Sequence, residues 1–314
     1  MFSCHVLALL APGQGSQTPG MFTPWLELDG TRERVAGWSE LTGLDLLELG
    51  TVADAEAIQD TSVTQPLVVA LALLAFEELE RRHELPGDVL VAGHSVGELA
   101  AAAMAGALSA DDAVVLAAVR GAEMARACAL EPTGMAAVMG GEPEQVVDWL
   151  AEFDLTPANR NGAGQIVAAG PLDKVDEMIA AKPDWVKKVI KLKVAGAFHT
   201  RFMATAKDAL GKRAENVAVS DPSRALLSNA DGQVVTEGQD VLDRLVAQVT
   251  RPVRWDLCMA AMAERGVGAV AELPPAGTLT GLAKRELDGV KPVALKKPED
   301  LAKVADLLGE ENAA

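Results

Sequence analysis

Apolar residues fall along this chain in two rhythms. HVLALLA (His5 to Ala11) and DVLVAG (Asp88 to Gly93) are short runs, apolar throughout, that end at glycine or proline, as expected of strands buried on both faces. Longer patterns lie between and after them. SVTQPLVVALALLAFEELERR (Ser62 to Arg82), the alanine-rich stretch after Ser95, and ADDAVVLAAVRGAEMARA (Ala110 to Ala127) predict helices, the last opened by acids that suit a helix N-terminus. Such strands alternating with helices predict a parallel sheet covered on both faces.

The rhythm changes between about Thr133 and Val194. TGMAAVMGG predicts a strand and PEQVVDWLAEF a helix with proline in its first turn. PANRNGAGQIVAAG predicts two short strands around a turn, PLDKVDEMIAA a second helix, and WVKKVIKLK a last strand. The order βαββαβ is ferredoxin-like. RALLSNADG, QDVLDRLVAQV, VRWDLCMAAMAERG and GAVAELPPAG then return to the first pattern, and the tail GEENAA reads as disordered. The expectation is a large α/β domain of residues 1–128 and 197–314, interrupted by a smaller ferredoxin-like subdomain of residues 129–196.

Composition narrows the chemistry. A net charge of -17 argues against nucleic acid and anionic membrane as main partners, since both need a cationic face. With no tyrosine and only 4% aromatics, stacking platforms for bases are not expected. The cysteines Cys4, Cys128 and Cys258 are scattered, and no two of the four histidines stand at i,i+4, so neither a disulfide framework nor a metal site is expected. The N-terminal apolar run lacks a basic flank and stops at Pro12, unlike a signal peptide, and no stretch reads as a membrane span. A cytoplasmic chain is expected.

Gly93-His94-Ser95-Val96-Gly97 fits G-x-S-x-G between a strand and a helix, the sharp turn that exposes a nucleophilic hydroxyl in an α/β-hydrolase-like core. The helix start supplies free N–H groups and positive potential where an oxyanion would form. The alternative is a tight turn whose serine merely caps the helix. A serine nucleophile needs a base. His94 is adjacent, and neighbouring strand positions project to opposite sides. His5 sits at the start of a strand and His83 in the charged end of a helix. His199, in GAFHTRF, remains, with a packed core histidine as the alternative.

Six motifs occur together and in order: GQGSQ (Gly13 to Gln17), TQP (Thr64 to Pro66), GHSVGE (Gly93 to Glu98), RG-x-x-M (Arg120 to Met124), GAFHT (Gly196 to Thr200) and Q-x-x-x-PVRW (Gln248 to Trp255). Over nearly its whole length the chain resembles the malonyl-CoA:acyl carrier protein transacylases, a family shared with polyketide-synthase acyltransferase domains. The resemblance implies that Ser95 is acylated and that His199 is its base, held by the main-chain carbonyl of Gln248. It implies oxyanion-hole N–H groups from Gln14 and Val96, and substrate contacts from Gln65, Met124, Phe198 and Asn159.

It also implies a role for Arg120. A buried carboxylate requires a charged partner, and guanidinium offers a planar two-donor fork that lysine lacks. The resemblance makes Arg120 the clamp for the malonyl carboxylate; the helix alone favours a surface arginine paired with Glu123. Phe198 in A-F-H goes with malonyl in this family, where methylmalonyl-using relatives tend to carry serine. The implied reaction moves malonyl from CoA through Ser95 to a carrier protein's phosphopantetheine thiol, with no metal or redox cofactor; separately, a monomer is expected. KPDWVKKVIKLK holds five lysines against one aspartate, so Lys187, Lys188 and Lys191 are candidates for steering an acidic carrier; a solvated strand face is the alternative. Two rival readings are a thioesterase-like hydrolase and a non-catalytic carrier-docking module.

Overall fold

The computed structural model describes residues 6–312, so Cys4 and the strand start at His5 lie outside the described residues. Its strands are β1 (Val6–Ala11), β2 (Leu90–Gly93), β3 (Thr133–Met139), β4 (Thr156–Gly162), β5 (Gln165–Pro171), β6 (Lys188–Lys191), β7 (Ala225–Leu227), β8 (Val234–Val235), β9 (Val253–Arg254), β10 (Val267–Glu272) and β11 (Lys291–Ala294). They form two sheets.

The larger sheet has the order β11-β10-β1-β2-β7-β8, parallel throughout except for β8, which pairs antiparallel with β7. Its central strands explain the continuous apolar runs. Leu7, Leu9 and Ala11 of β1 and Val91 of β2 enter one core, while Ala8, Leu10, Leu90 and Ala92 enter a second core on the opposite face. With a side-chain period of two and both faces covered, no position is left for a polar residue.

The smaller sheet has the order β6-β3-β5-β4-β9, and neighbouring pairs among β3 to β6 are antiparallel. Alternation along its strands divides two environments. Ala136, Val138, Ile166 and Ala168 pack with Val146 and Leu150 of the Pro143–Ala151 helix and with Val175 and Met178 of the Leu172–Ala180 helix. Met135, Ala137, Val167 and Ala169 face the main core instead. β9, from far along the chain, adds to β4 in parallel and ties this sheet to the rest of the molecule.

Two differences from the sequence reading concern helices. The Thr61–Arg82 helix is long and apolar enough to cross a membrane, yet 83% of its most apolar window is buried inside the protein, so its hydropathy is that of a core helix. The C-terminal helix runs from Leu301 to Asn312, reaching into the tail expected to be disordered. Leu301, Val304 and Leu308 bury against the main core, and this spacing anchors it.

Candidate active site

Ser95 occupies the turn between β2 and the Gly97–Met104 helix, with φ of 54°, a backbone region that non-glycine residues rarely adopt. The flanking glycines permit it. A Cβ on Gly93 would lie 2.1 Å from the backbone of Gly97, and one on Gly97 would lie 2.3 Å from the carbonyl oxygen of Ala11. G-x-S-x-G is therefore a packing requirement here.

The Ser95 hydroxyl lies 2.7 Å from Nε2 of His199, and His199 Nδ1 lies 2.9 Å from the main-chain oxygen of Gln248. That carbonyl can only accept, so it fixes the proton on Nδ1 and leaves Nε2 to accept from serine. Burial, reinforced by the Arg120 charge, lowers the His199 pKa to about 3. The ring is thus neutral near pH 7. His94 turns away, its Nε2 2.8 Å from Asn161 Oδ1 and its ring edge-on to Trp255.

Arg120 is 2% exposed. Nη1 donates to Gln65 Oε1 at 2.7 Å, and Nη2 donates to Gln248 Oε1 at 2.9 Å and to Ser95 Oγ at 3.3 Å. Glu123 pairs instead with Arg126, so the surface alternative fails. Burial pushes the Arg120 pKa down to about 10, which still leaves it charged at neutral pH. Gly121 permits this depth: a Cβ there would lie 2.6 Å from the carbonyl oxygen of Thr61, so the Ala110–Cys128 helix approaches the Thr61–Arg82 helix closely enough to bring Arg120 to Gln65.

A cavity of about 230 Å³ opens over Ser95. Gln14, Gln65, Val96, Arg120, Met124, Asn159, Phe198 and His199 all line it, whereas Lys187, Lys188 and Lys191 do not. Gln248 sits behind the wall. Met135, Ala137 and Val167 supply a smooth apolar side from the smaller sheet. Among the described residues, no acceptor meets the amide of Gln14 or of Val96. The GQGSQ glycines answer to packing and to backbone conformation. A Cβ on Gly13 would lie 2.8 Å from the His94 carbonyl, so Gly13 lets the loop pack on the serine turn, while Gly15 has open space and φ of 114°.

Two residues in the site, Asn229 and Glu98, and the side chain of Gln248 escaped the sequence reading. Asn229, just past β7, accepts from the Ser95 N–H at 2.8 Å, and its side-chain amide donates to the Gly93 carbonyl at 2.8 Å, stapling the turn from the neighbouring strand. Its own N–H donates to Glu98 Oε1 at 2.6 Å. The Gln248 side chain, beyond its carbonyl, donates to Glu98 Oε2 and to the Ser95 carbonyl. The signal available in RALLSNADG was a polar residue at the end of a short apolar strand, next to a candidate catalytic strand only once the sheet order is known.

Residues 9–309 match the family model described as acyl transferase domain. The malonyl CoA-acyl carrier protein transacylase of Mycobacterium tuberculosis is 57% identical over 96% of this chain and 100% of its own length. This chain belongs to the malonyl CoA-acyl carrier protein transacylase family. The transacylase of Escherichia coli K12 is 32% identical over 96% of this chain and 99% of its own. The crystal structure of the M. tuberculosis transacylase superposes with a TM-score of 0.93, at 57% identity and covering 96% of this chain and 100% of that one. A malonyl-transacylase in complex with a type II polyketide acyl-carrier protein superposes with a TM-score of 0.88, at 28% identity, covering 96% and 99%.

Proposed function

We propose that this transacylase moves malonyl from malonyl-CoA to the phosphopantetheine thiol of an acyl carrier protein through an ester on Ser95, supplying units for fatty acid or polyketide synthesis. The observation that carries the reading is one cavity holding both a Ser95–His199 pair and a buried guanidinium 3.3 Å from the serine oxygen. A hydrolase acting on uncharged acyl groups has no use for that charge, which costs desolvation unless an anion joins it.

His199 Nε2 takes the Ser95 proton as Oγ attacks the thioester carbon. Negative charge on the carbonyl oxygen falls to the amides of Gln14, in the loop after β1, and of Val96, at the start of a helix whose dipole favours it. The Ser95 amide is already engaged by Asn229 and is not available for this. The thiolate of CoA leaves with the proton from His199. The carrier thiol then enters, gives its proton to His199, attacks the serine ester, and the proton returns to Ser95. Arg120 holds the malonyl carboxylate throughout, with Gln65 and Gln248 orienting the fork, while Met124, Phe198 and Asn159 shape the acyl pocket. Transfer between two thioesters through an ester leaves every oxidation state unchanged, so the reading calls for no redox cofactor, and it uses no metal.

Lys187 and Lys188, exposed where β6 begins, suit an acidic carrier approaching the smaller sheet; Lys191 is already paired with Asp176. The reading takes the enzyme to act as a monomer in the cytoplasm. Following malonyl onto a purified holo-carrier protein tests the reading: stoichiometric loading supports it, and quantitative release of free malonate contradicts it.

A further inference from the structure

Glu98 is a carboxyl group with 6% exposure, in the first turn of the helix behind Ser95, and the chemistry above does not use it. Its two oxygens have different duties. Oε1 accepts the backbone N–H of Asn229 at 2.6 Å, and Oε2 accepts Nε2 of Gln248. The second bond has a consequence for Arg120. A primary amide has one donating and one accepting end, so an acceptor at Nε2 forces the Gln248 oxygen to point the other way. That oxygen takes Arg120 Nη2 at 2.9 Å.

We propose that Glu98 is a positioning residue that sets the polarity of this relay: by accepting from Gln248 it makes Gln248 an acceptor toward Arg120, and so aims the guanidinium at the acyl group. The relay also braces the serine turn, because Gln248 Nε2 donates to the Ser95 carbonyl at 3.1 Å while Asn229, fixed by Glu98, holds the Ser95 N–H. An accepting role at both oxygens is that of the carboxylate. Burial pushes the group up to about 8, against the two donors and the Arg120 charge that favour ionisation, so the relay belongs to the ionised form and is tested above pH 8, where both oxygens accept.

Glu98→Gln tests the polarity with little change in shape. The new amide must keep its oxygen toward Asn229 N–H and present NH2 to Gln248. Gln248 then flips, and its own NH2 meets Arg120, donor against donor. Glu98→Asp is the control, since it keeps two accepting oxygens and loses a methylene. The measurement is the ratio of kcat/KM for malonyl-CoA to that for acetyl-CoA, with thermal unfolding recorded alongside. For Glu98→Gln the ratio falls roughly tenfold or more, the loss falling mainly on malonyl, whereas Glu98→Asp keeps it within about threefold of the parent. Equal loss on both acyl groups in Glu98→Gln, or an unchanged ratio, overturns the relay and leaves Glu98 a packing residue. If Glu98→Gln does not fold, Gln248→Met, which removes the middle amide of the relay and keeps the main-chain carbonyl, takes its place: a fallen ratio supports the relay, and an unchanged one contradicts it. The inference rests on Arg120 as the malonyl clamp. Arg120→Ala separates the two failures: a surviving malonyl preference in that variant sinks the clamp itself, and its loss there with no change in Glu98→Gln sinks only the relay.

Discussion

The proton-bearing nitrogen of His199 faces a main-chain carbonyl, that of Gln248, at 2.9 Å, where many serine enzymes place a carboxylate. A carbonyl fixes the tautomer and orients the ring without adding negative charge. The carbonyl raises the imidazole pKa only in part, burial and then the Arg120 charge outweigh it, and the pKa falls to about 3.

The acid limb of activity follows from that value. The free enzyme's base stays neutral well below the ordinary imidazole range, so kcat/KM for acetyl-CoA, which does not call on the Glu98–Gln248–Arg120 relay, holds its plateau from pH 7 down to pH 5. A break near 6.5 in the pH profile would show His199 to be ordinary.

Stability moves the other way. The folded pKa lies below the unfolded one, so His199 contributes stability above about 6.5 that is lost as pH falls toward 3. Between pH 7 and pH 5 the parent should lose about 2 kcal/mol relative to His199→Asn, whose side chain does not titrate. Chemical denaturation of both proteins at the two pH values gives this difference directly.

Arg120→Ala removes the charge that a malonyl carboxylate meets. kcat/KM for malonyl-CoA should fall by a factor of about 100 to 1,000, equivalent to about 3–4 kcal/mol of lost charge-assisted bonding, with a much smaller fall for acetyl-CoA. Kinetics on the two thioesters check it.

Phe198 stands against the cavity at 7% exposure. Phe198→Ser opens room for an α-methyl branch, and the methylmalonyl-to-malonyl ratio should rise about tenfold, the scale of one methyl group in a tight pocket. Competition between the two CoA esters measures it.

Gly93 has no room for a methyl group, since its Cβ would overlap the Gly97 backbone. Gly93→Ala should destabilise the fold by more than about 4 kcal/mol or prevent folding, as seen in denaturation or in insoluble expression.

These outcomes depend on features the sequence revealed unequally. The parallel sheet was legible because Leu7 to Leu10 must be apolar on both faces, and the serine turn because its glycines are sterically forced. Arg120 was ambiguous from its helix alone: an arginine among apolar residues fits either a surface pair or a buried clamp, and only the close approach of Thr61 at Gly121 decides which face is inside. Asn229 and Glu98 were not legible as site residues. Their meaning depends on β7 lying beside β2, a contact between segments more than a hundred residues apart in the chain. The hydropathy of the Thr61–Arg82 helix likewise gains its meaning from what covers it.

The most direct test is to expose the enzyme to labelled malonyl-CoA without a carrier, map the label, and then add holo-carrier protein. The account predicts a malonyl ester on the Ser95 peptide, absent in Ser95→Ala, that discharges onto the carrier's phosphopantetheine thiol. Label on another residue, or label appearing only as free malonate when the carrier is added, would contradict it.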